Sequence, residues 1–490
     1  MNIQSNNYHY QKTLFTFAAL LVVSDYFIFS TSVAVASSIV DSPFGFLESF
    51  EVNVDSAYFT DVGANFVRDG KEAVWGKVET SPGNYNWSGV DQAVLSATTA
   101  GANVLLTVIP INFSDKQQCR LSGPCSIAKA ECTPCDMERY KTFFTALINR
   151  YKGSVKYWQI GNEENNSWKE SPAQYADFVK IHRDLLTASC IGCKLILGGV
   201  SSKPSGYYNF YRPVLTRAFE INATTGVRIF DIFDFHWAGW DGNYKQIKDI
   251  SNSQYYDFKQ YISDIKNDLN ANNINAEIWI TEMSTYSGDP VDTPVVNPSQ
   301  TERQQAIELV KRYVYSLSAQ IKKVFWVKMT EWYNFSQITN GFYDNTGIVN
   351  NPQADGDSSK KLAYYAYKKM VEKLQSADWN TIQTVQESGD VYVYKFSRPS
   401  GPVWVAWNDN AQTIHATISG LASNAILVSD AVPYSSSGSQ VSNYATAFST
   451  QTLMSSGGQA TITLTSATPV FIEYSIDITP PSAPTWVTVI

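Results

Sequence analysis

The segment "YWQIGNEENNSW" (157–168) starts as an apolar run and ends in two adjacent acids, Glu163 and Glu164. A short apolar run of this kind reads as a strand buried on both faces. Its carboxylates then sit where the strand leaves the core. Seven further runs share the pattern: "PFGFLES" (43–49), "ANFVRDG" (64–70), "NVLLTVIP" (103–110), "KLILGGV" (194–200), "FDIFDFHW" (230–237), "EIWITEM" (277–283) and "KVFWVKM" (323–329). With "VKYWQIGNE" (155–163) they make eight candidate strands.

Helical periodicity fills the intervals. Residues 136–151 open with Asp136 as N-cap, and 171–189 with Ser171 as cap and Pro172 at the first helical position. Residues 299–318 and 359–374 show the same spacing. Eight strands alternating with helices predict the α/β class and a (β/α)8 TIM barrel over 37–376. Such barrels carry their sites at the carboxyl ends of the strands, where Glu163 and Glu282 both fall.

After Ala377 the pattern changes to short alternating runs such as "VYVYKFSRPSGPVWVAWND" and "ATITLTSATPVFIEY". These predict a C-terminal antiparallel β-sandwich over 377–476. The tail 477–490, "DITPPSAPTWVTVI", reads as a linker or the start of a fibronectin type III-like module.

The first 36 residues read as a signal peptide: Lys12, the apolar "TLFTFAALLVV", and the small residues "AVA" at 34–36. Asp25 interrupts the apolar run, so a membrane anchor is the weaker reading. The expected location is secreted or cell-surface, with no membrane contact after signal removal. In an oxidising compartment an even number of cysteines implies disulfides. The six fall in two groups: Cys119, Cys125, Cys132 and Cys135 after the third strand, and Cys190 and Cys193 before the fifth. Those positions lie at opposite ends of a barrel, so pairing within each group is expected, with Cys190–Cys193 as a local bridge. A zinc site built from the first four is the rival, but no histidine lies near them. The "CTPC" at 132–135 lacks a thioredoxin-like context.

The net charge of −8 argues against nucleic acid as a partner. The chain holds 13 Trp, 29 Tyr and 25 Phe, enough to build a core and also to stack on sugar rings. Cleavage of a glycosidic bond needs two carboxylates flanking it, usually drawn from distant parts of the chain.

Several segments resemble the clan A glycoside hydrolases. They are Asn162-Glu163 in "IGNEEN", Glu282 in "WITEMS", "FVRDGKEAVWGKVETSPGNYNWSGVDQAV" (66–94) and "TGIVNNPQADGDSSKKLAYYAYKKM" (346–370). The likeness spans 43–476 and is nearest to families 39, 5 and 51. It implies a retaining enzyme with Glu163 as acid/base and Glu282 as nucleophile. Glu163 would have to stay protonated near neutral pH, and Arg68 would keep Glu282 ionised. Asn162 would reach the sugar 2-hydroxyl and His236 would border the same subsite. Trp332 would floor that subsite, with Trp75, Trp168, Trp237 and Trp240 as further stacking candidates. The substrate would be a neutral β-linked oligo- or polysaccharide, with no cofactor and no catalytic metal. Two departures stand out. The clan's Asn-Glu-Pro is Asn162-Glu163-Glu164 here, and its sixth-strand His-x-Tyr is replaced by His236-Trp237. Transglycosylation, or carbohydrate binding without turnover, are the alternatives on the same scaffold.

Overall fold

The computed structural model describes residues 41–47, 55–291, 299–331, 341–350, 359–423 and 425–475. The expected signal peptide, the tail after 476 and Trp332 lie outside the described residues. Eight parallel strands close into a barrel: β1 (Phe44–Leu47), β2 (Phe66–Asp69), β3 (Asn103–Val108), β4 (Val155–Ile160), β5 (Lys194–Leu197), β6 (Ile232–Ala238), β7 (Glu277–Ser284) and β8 (Lys323–Trp326). Each matches one of the eight apolar runs. β1 closes the ring by pairing with both β8 and β2.

The helices expected at Asp136 and Ser171 form there, and a further capped helix starts after Thr301. Asp136 accepts from the Arg139 N–H at the start of Met137–Tyr151. Ser171 and Gln174 form a reciprocal capping box on Pro172–Ser189, and Thr301 and Gln304 do the same on Glu302–Ser318.

Along each strand, alternate residues face the barrel axis. Phe66, Leu105, Ile196, Ile232, Trp279 and Phe325 pack together as a separate apolar plug inside the barrel. Two residues further along, the inward positions turn polar: Arg68 on β2, Thr107 on β3, Gln159 on β4, Asp234 on β6 and Thr281 on β7, all buried. The barrel is therefore sealed below and polar above, which puts the chemistry at its carboxyl end.

The C-terminal part is antiparallel throughout. It comprises β9 (Gln383–Ser388), β10 (Val391–Phe396), β11 (Val403–Asn408), β12 (Ile414–Ser419), β13 (Ala425–Asp430), β14 (Thr450–Met454), β15 (Gln459–Leu464) and β16 (Val470–Tyr474). Six strands form one sheet in the order β9-β10-β11-β16-β13-β14, and β12 pairs with β15 beside it. One face of the larger sheet, including Tyr394, Val405, Trp407 and Phe471, belongs to the same apolar core as the barrel helices. Asp409 accepts from Lys311 Nζ at 2.7 Å and from the Tyr244 hydroxyl at 2.7 Å, tying the sheet to the barrel.

All six cysteines are paired, as Cys119–Cys135, Cys125–Cys132 and Cys190–Cys193. Pairing stays within each group, and the two halves of "CTPC" bond to different partners. The nested pair braces the segment after β3. That segment is also joined to the chain after β4, because the Glu131 N–H donates to the Ser167 carbonyl at 2.9 Å and the Lys169 N–H to the Glu131 carbonyl at 3.0 Å. Mapping of non-reduced peptides should recover these three bonds. Removing Cys119–Cys135, which spans 16 residues, should cost about 3 kcal/mol of unfolding free energy by its loop-closure entropy. Denaturant titration of the Cys119→Ala/Cys135→Ala variant measures it.

Candidate active site

The site is assembled from the carboxyl ends of β2, β3, β4, β6 and β7. β4 stops at Ile160, three residues before Glu163. The chain then turns through Gly161, at φ +78°, and Glu163, at φ +54°, into the short helix Glu164–Ser167. A left-handed conformation is uncommon for a glutamate and concentrates at functional positions. This turn, rather than strand alternation, is what separates the two adjacent acids. Glu163 faces the mouth of the barrel, with its side chain 27% exposed. Glu164 points down into the core and is fully buried.

Glu282 reaches the site through an irregularity in β7. Trp279 faces the axis and Ile280 the outer core, so simple alternation would place Thr281 inward and Glu282 outward. The pairing of β7 with β6 shifts between Ile280↔Phe235 and Glu282↔His236, leaving Thr281 as an extra residue. A bulge of this kind re-aims the side chains that follow it. Thr281 and Glu282 both come to face the axis, while Met283 returns to the outer core.

The polar layer beneath holds these carboxylates in place. Arg68, only 1% exposed, donates from Nη1 to Glu282 Oε1 at 2.6 Å and from Nη2 to Asn162 Oδ1 at 2.5 Å. Its Nε donates to Gln159 Oε1 at 2.8 Å and Thr107 Oγ1 at 3.2 Å. Gln159 Nε2 passes the network on to Asp234 Oδ2 at 2.6 Å, which also accepts from the Thr281 hydroxyl at 2.6 Å. Gly199, after β5, leaves room for this: a Cβ there would lie 2.3 Å from His236 Nε2 and 2.5 Å from Asp234 Oδ2.

His236 lies between the two acids. Its Nδ1 is 2.9 Å from Glu163 Oε1 and 3.6 Å from Glu282 Oε2, and its Nε2 is 3.3 Å from the Thr281 hydroxyl. Burial alone would favour the neutral imidazole. The surrounding carboxylates of Glu282, Asp234 and Glu163 outweigh it and lift the pKa to about 10. The reciprocal effect falls on Glu163. Burial pushes its carboxyl up, but the His236 hydrogen bond and charge, the Asn166 amide at 3.2 Å and the Arg68 charge together hold it below the ordinary glutamate value. This corrects the expectation of a protonated Glu163: in the sugar-free site the proton resides on His236. The sequence reading weighed burial and neighbouring anions, and missed a cation in contact.

Glu163, His236 and Glu282 offer one nitrogen and two oxygens within 4.8 Å of one another, the donor count of a metal triad. Arg68 already brings a positive charge onto Glu282, and the His236 N–H occupies the space between the acids. The donor set is thus better matched to proton transfer than to holding a cation.

The tryptophans need the largest correction. Trp75 is fully buried, its indole N–H donating to Glu79 Oε2 at 2.6 Å. Trp168 is buried against Tyr175 and Phe178. Trp237 follows the inward His236 and therefore faces outward, stacked on Phe258 at 4.2 Å with the Arg312 guanidinium 4.3 Å from its ring. None of the three presents a face to the cleft. Trp240 is 8% exposed and packs on Phe342 at 4.1 Å, in a small aromatic group with Tyr286 beyond the ends of β6 and β7. His182 is bonded to the Tyr140 hydroxyl at 2.7 Å and kept neutral, its pKa pushed down to about 4 by burial.

Sequence reasoning overlooked Asn166, Gln159, Thr107, Asp234 and Thr281. A signal was present for the last four, each a polar residue at inward parity within an apolar run. If His236⁺ is what depresses Glu163, His236→Asn should raise the Glu163 titration by about 1–3 pH units, the usual effect of losing an opposite charge in contact. Carbon-13 NMR of labelled glutamate carboxyls reads this without any substrate.

No protein-family model and no curated protein matches this sequence. Solved structures do match by fold. A family 39 glycoside hydrolase from the gut symbiont Bacteroides cellulosilyticus WH2 superposes with a TM-score of 0.64 at 17% identity, over 89% of this chain and 81% of that one. A GH30 endoxylanase from Clostridium papyrosolvens C71 gives 0.56 at 14% identity, over 90% and 98%. A monomeric beta-xylosidase from Caulobacter crescentus CB15 gives 0.56 at 12%, over 89% and 96%. The chain thus has the fold of these glycoside hydrolases, a (β/α)8 barrel followed by an antiparallel β domain.

Proposed function

We propose that this protein is a secreted retaining glycoside hydrolase acting on β-linked oligo- or polysaccharides, with Glu163 as acid/base and Glu282 as nucleophile. The observation that carries the reading is the carboxylate pair. Oxygens of Glu163 and Glu282 lie within 4.8 Å of each other across the mouth of the barrel. Retaining enzymes hold their two carboxyls roughly 5–5.5 Å apart, and inverting ones roughly 6.5–9.5 Å to admit a water. Oxygens this close, both against His236 Nδ1, leave little room for a water between the acids and favour attack by Glu282 itself.

The charges fit these roles. Arg68 bonds Glu282 Oε1 at 2.6 Å and sets a positive charge beside the carboxylate that attacks the anomeric carbon. The proton needed by the leaving oxygen waits on His236 Nδ1, hydrogen-bonded to Glu163. A bound sugar displaces water from the site and raises the cost of the Glu163 charge. The proton then passes along that bond, making Glu163 the acid. Formation of the covalent intermediate removes the Glu282 charge, and Glu163, once deprotonated, serves as base for the incoming water. Asn162, whose Oδ1 accepts from Arg68 Nη2, would meet the sugar 2-hydroxyl. The three disulfides and the N-terminal signal pattern support secretion.

The two acids are separable by rescue chemistry. Glu163→Ala should slow substrates with poor leaving groups by roughly 10²–10⁴-fold. With azide present it should yield a glycosyl azide of retained configuration. Glu282→Gly should block the covalent intermediate for every leaving group and give the inverted azide. Product configuration by proton NMR decides the assignment, and reversed products would exchange the roles. A panel of polysaccharides, assayed for released reducing sugar, tests the activity itself. Release of transfer products in place of reducing sugar would favour a transglycosylase.

A further inference from the structure

Glu131 and Glu164 are buried acids that the proposed chemistry leaves without a task. Glu131 is 3% exposed and Glu164 is fully covered. Their carboxyls lie against each other, within reach of a hydrogen bond. Glu164 Oε1 accepts from the Asn162 N–H at 3.0 Å, but Oε2 of each acid is buried with no donor. A carboxylate can only accept, so two ionised carboxylates have nothing to bond with; one proton between them satisfies both.

The location gives the pair a consequence. Glu164 follows Glu163 directly and starts the short helix whose N-cap is Glu163. Glu131 belongs to the disulfide-braced segment that is bridged to Ser167 and Lys169 on either side of Trp168. Gly161 completes the seat, since a Cβ there would lie 1.6 Å from Glu164 Oε1. The acid/base turn thus rests on a carboxyl–carboxyl contact.

We propose that Glu131 and Glu164 share one proton and act together as positioning residues for Glu163, so that loss of this proton, rather than of the acid/base proton, ends activity on the alkaline side. The inference rests on the reading of Glu163 as acid/base. The charged groups around the pair do not replace the proton. Lys116 faces Glu131, but its Nζ is engaged by the carbonyls of Ile127, Ala128 and Ala130, and its charge is shared with Asp115. Lys169 faces both acids from the exposed rim. Tyr140, Tyr175 and Tyr211 face Glu164 from neighbouring helices, with phenols held neutral by burial, and His182 behind Tyr140 is neutral as well. Asp234, on the barrel side, acts on Tyr175 and Tyr211, which stand between it and the pair.

Burial pushes Glu131 up to about 7, and burial together with the Glu131 charge pushes Glu164 well above its ordinary value. Both folded-state values exceed the unfolded ones. Stability is therefore full below the unfolded carboxyl pKa and is lost as pH rises through the folded value. Once the proton leaves, two like charges in an apolar pocket repel, and either the Glu131 segment or the Glu164 helix must move.

The test uses the full chain and compares wild type with Glu131→Gln and Glu131→Ala. A glutamine amide donates permanently where the shared proton donates only at low pH. Wild type should lose several degrees of melting temperature between about pH 5 and pH 8, and Glu131→Gln should lose clearly less. An unchanged pH dependence in Glu131→Gln would overturn the shared proton. Rates are read on dinitrophenyl β-xyloside and β-glucoside, whose leaving group needs no protonation, so ionisation of the acid cannot cause their alkaline loss. That loss should persist in wild type and move up by about one pH unit or more in Glu131→Gln. Glu131→Ala should turn over about tenfold more slowly, with Glu131→Gln restoring most of the rate. Equal rates for Glu131→Ala and wild type would overturn the positioning role. Inactivity of wild type on every glycoside would count against the hydrolase reading, while the melting comparison would still decide the carboxyl pair.

Discussion

The guanidinium of Arg68 is buried inside the barrel and must be satisfied there. An isolated charge in that environment would cost several kcal/mol, and each guanidinium nitrogen needs an acceptor. Gln159, Thr107, Asn162 and Glu282 supply them from three other strand ends. Each of those partners is then fixed in turn. Gln159 leads to Asp234, Asp234 to Thr281, and Glu282 to His236 and so to Glu163. The positions of Asn162, Glu282, His236 and Glu163 are thus linked to the need to neutralise one buried guanidinium below them.

The apolar plug and the polar layer divide the work. Phe66, Leu105, Ile196, Ile232, Trp279 and Phe325 fill the barrel and exclude water from below. Hydrogen bonds in the layer above are therefore made in a low-dielectric setting, where satisfied networks are rigid and unsatisfied ones costly. The barrel supplies stability at one end and a preorganised charge pattern at the other. The outer shell of helices, the disulfide-braced segment and the C-terminal sheet support that pattern without entering it.

The two acids of "IGNEEN" show how one local sequence serves two physical ends. Glu163 sits in a left-handed conformation and shares a proton with a cation. Glu164 lies against another carboxyl and an apolar wall. Their ionisation is pushed in opposite directions, Glu163 down and Glu164 up, by neighbours drawn from opposite sides of the turn.

Much of the architecture was legible in the sequence. Eight apolar runs, helix caps at Asp136 and Ser171, and a change of period after Ala377 determined the barrel and the antiparallel domain, because hydrophobic periodicity is a local property. The acids at the ends of the fourth and seventh runs were legible for the same reason. What the sequence could not determine was which way certain side chains point. Glu282 faces the axis because of a bulge at Thr281, a matter of register between two strands that no single segment encodes. Trp75 is a core residue because the distant helix Met137–Tyr151 covers it, and Trp168 and Trp237 because Phe178 and Phe258 of the helices that follow them fold back onto their rings. The charge state of Glu163 was decided only when β6 brought His236 against it from 73 residues away. Periodicity fixes which elements form; only their packing brings distant charges into contact, and contact sets the chemistry.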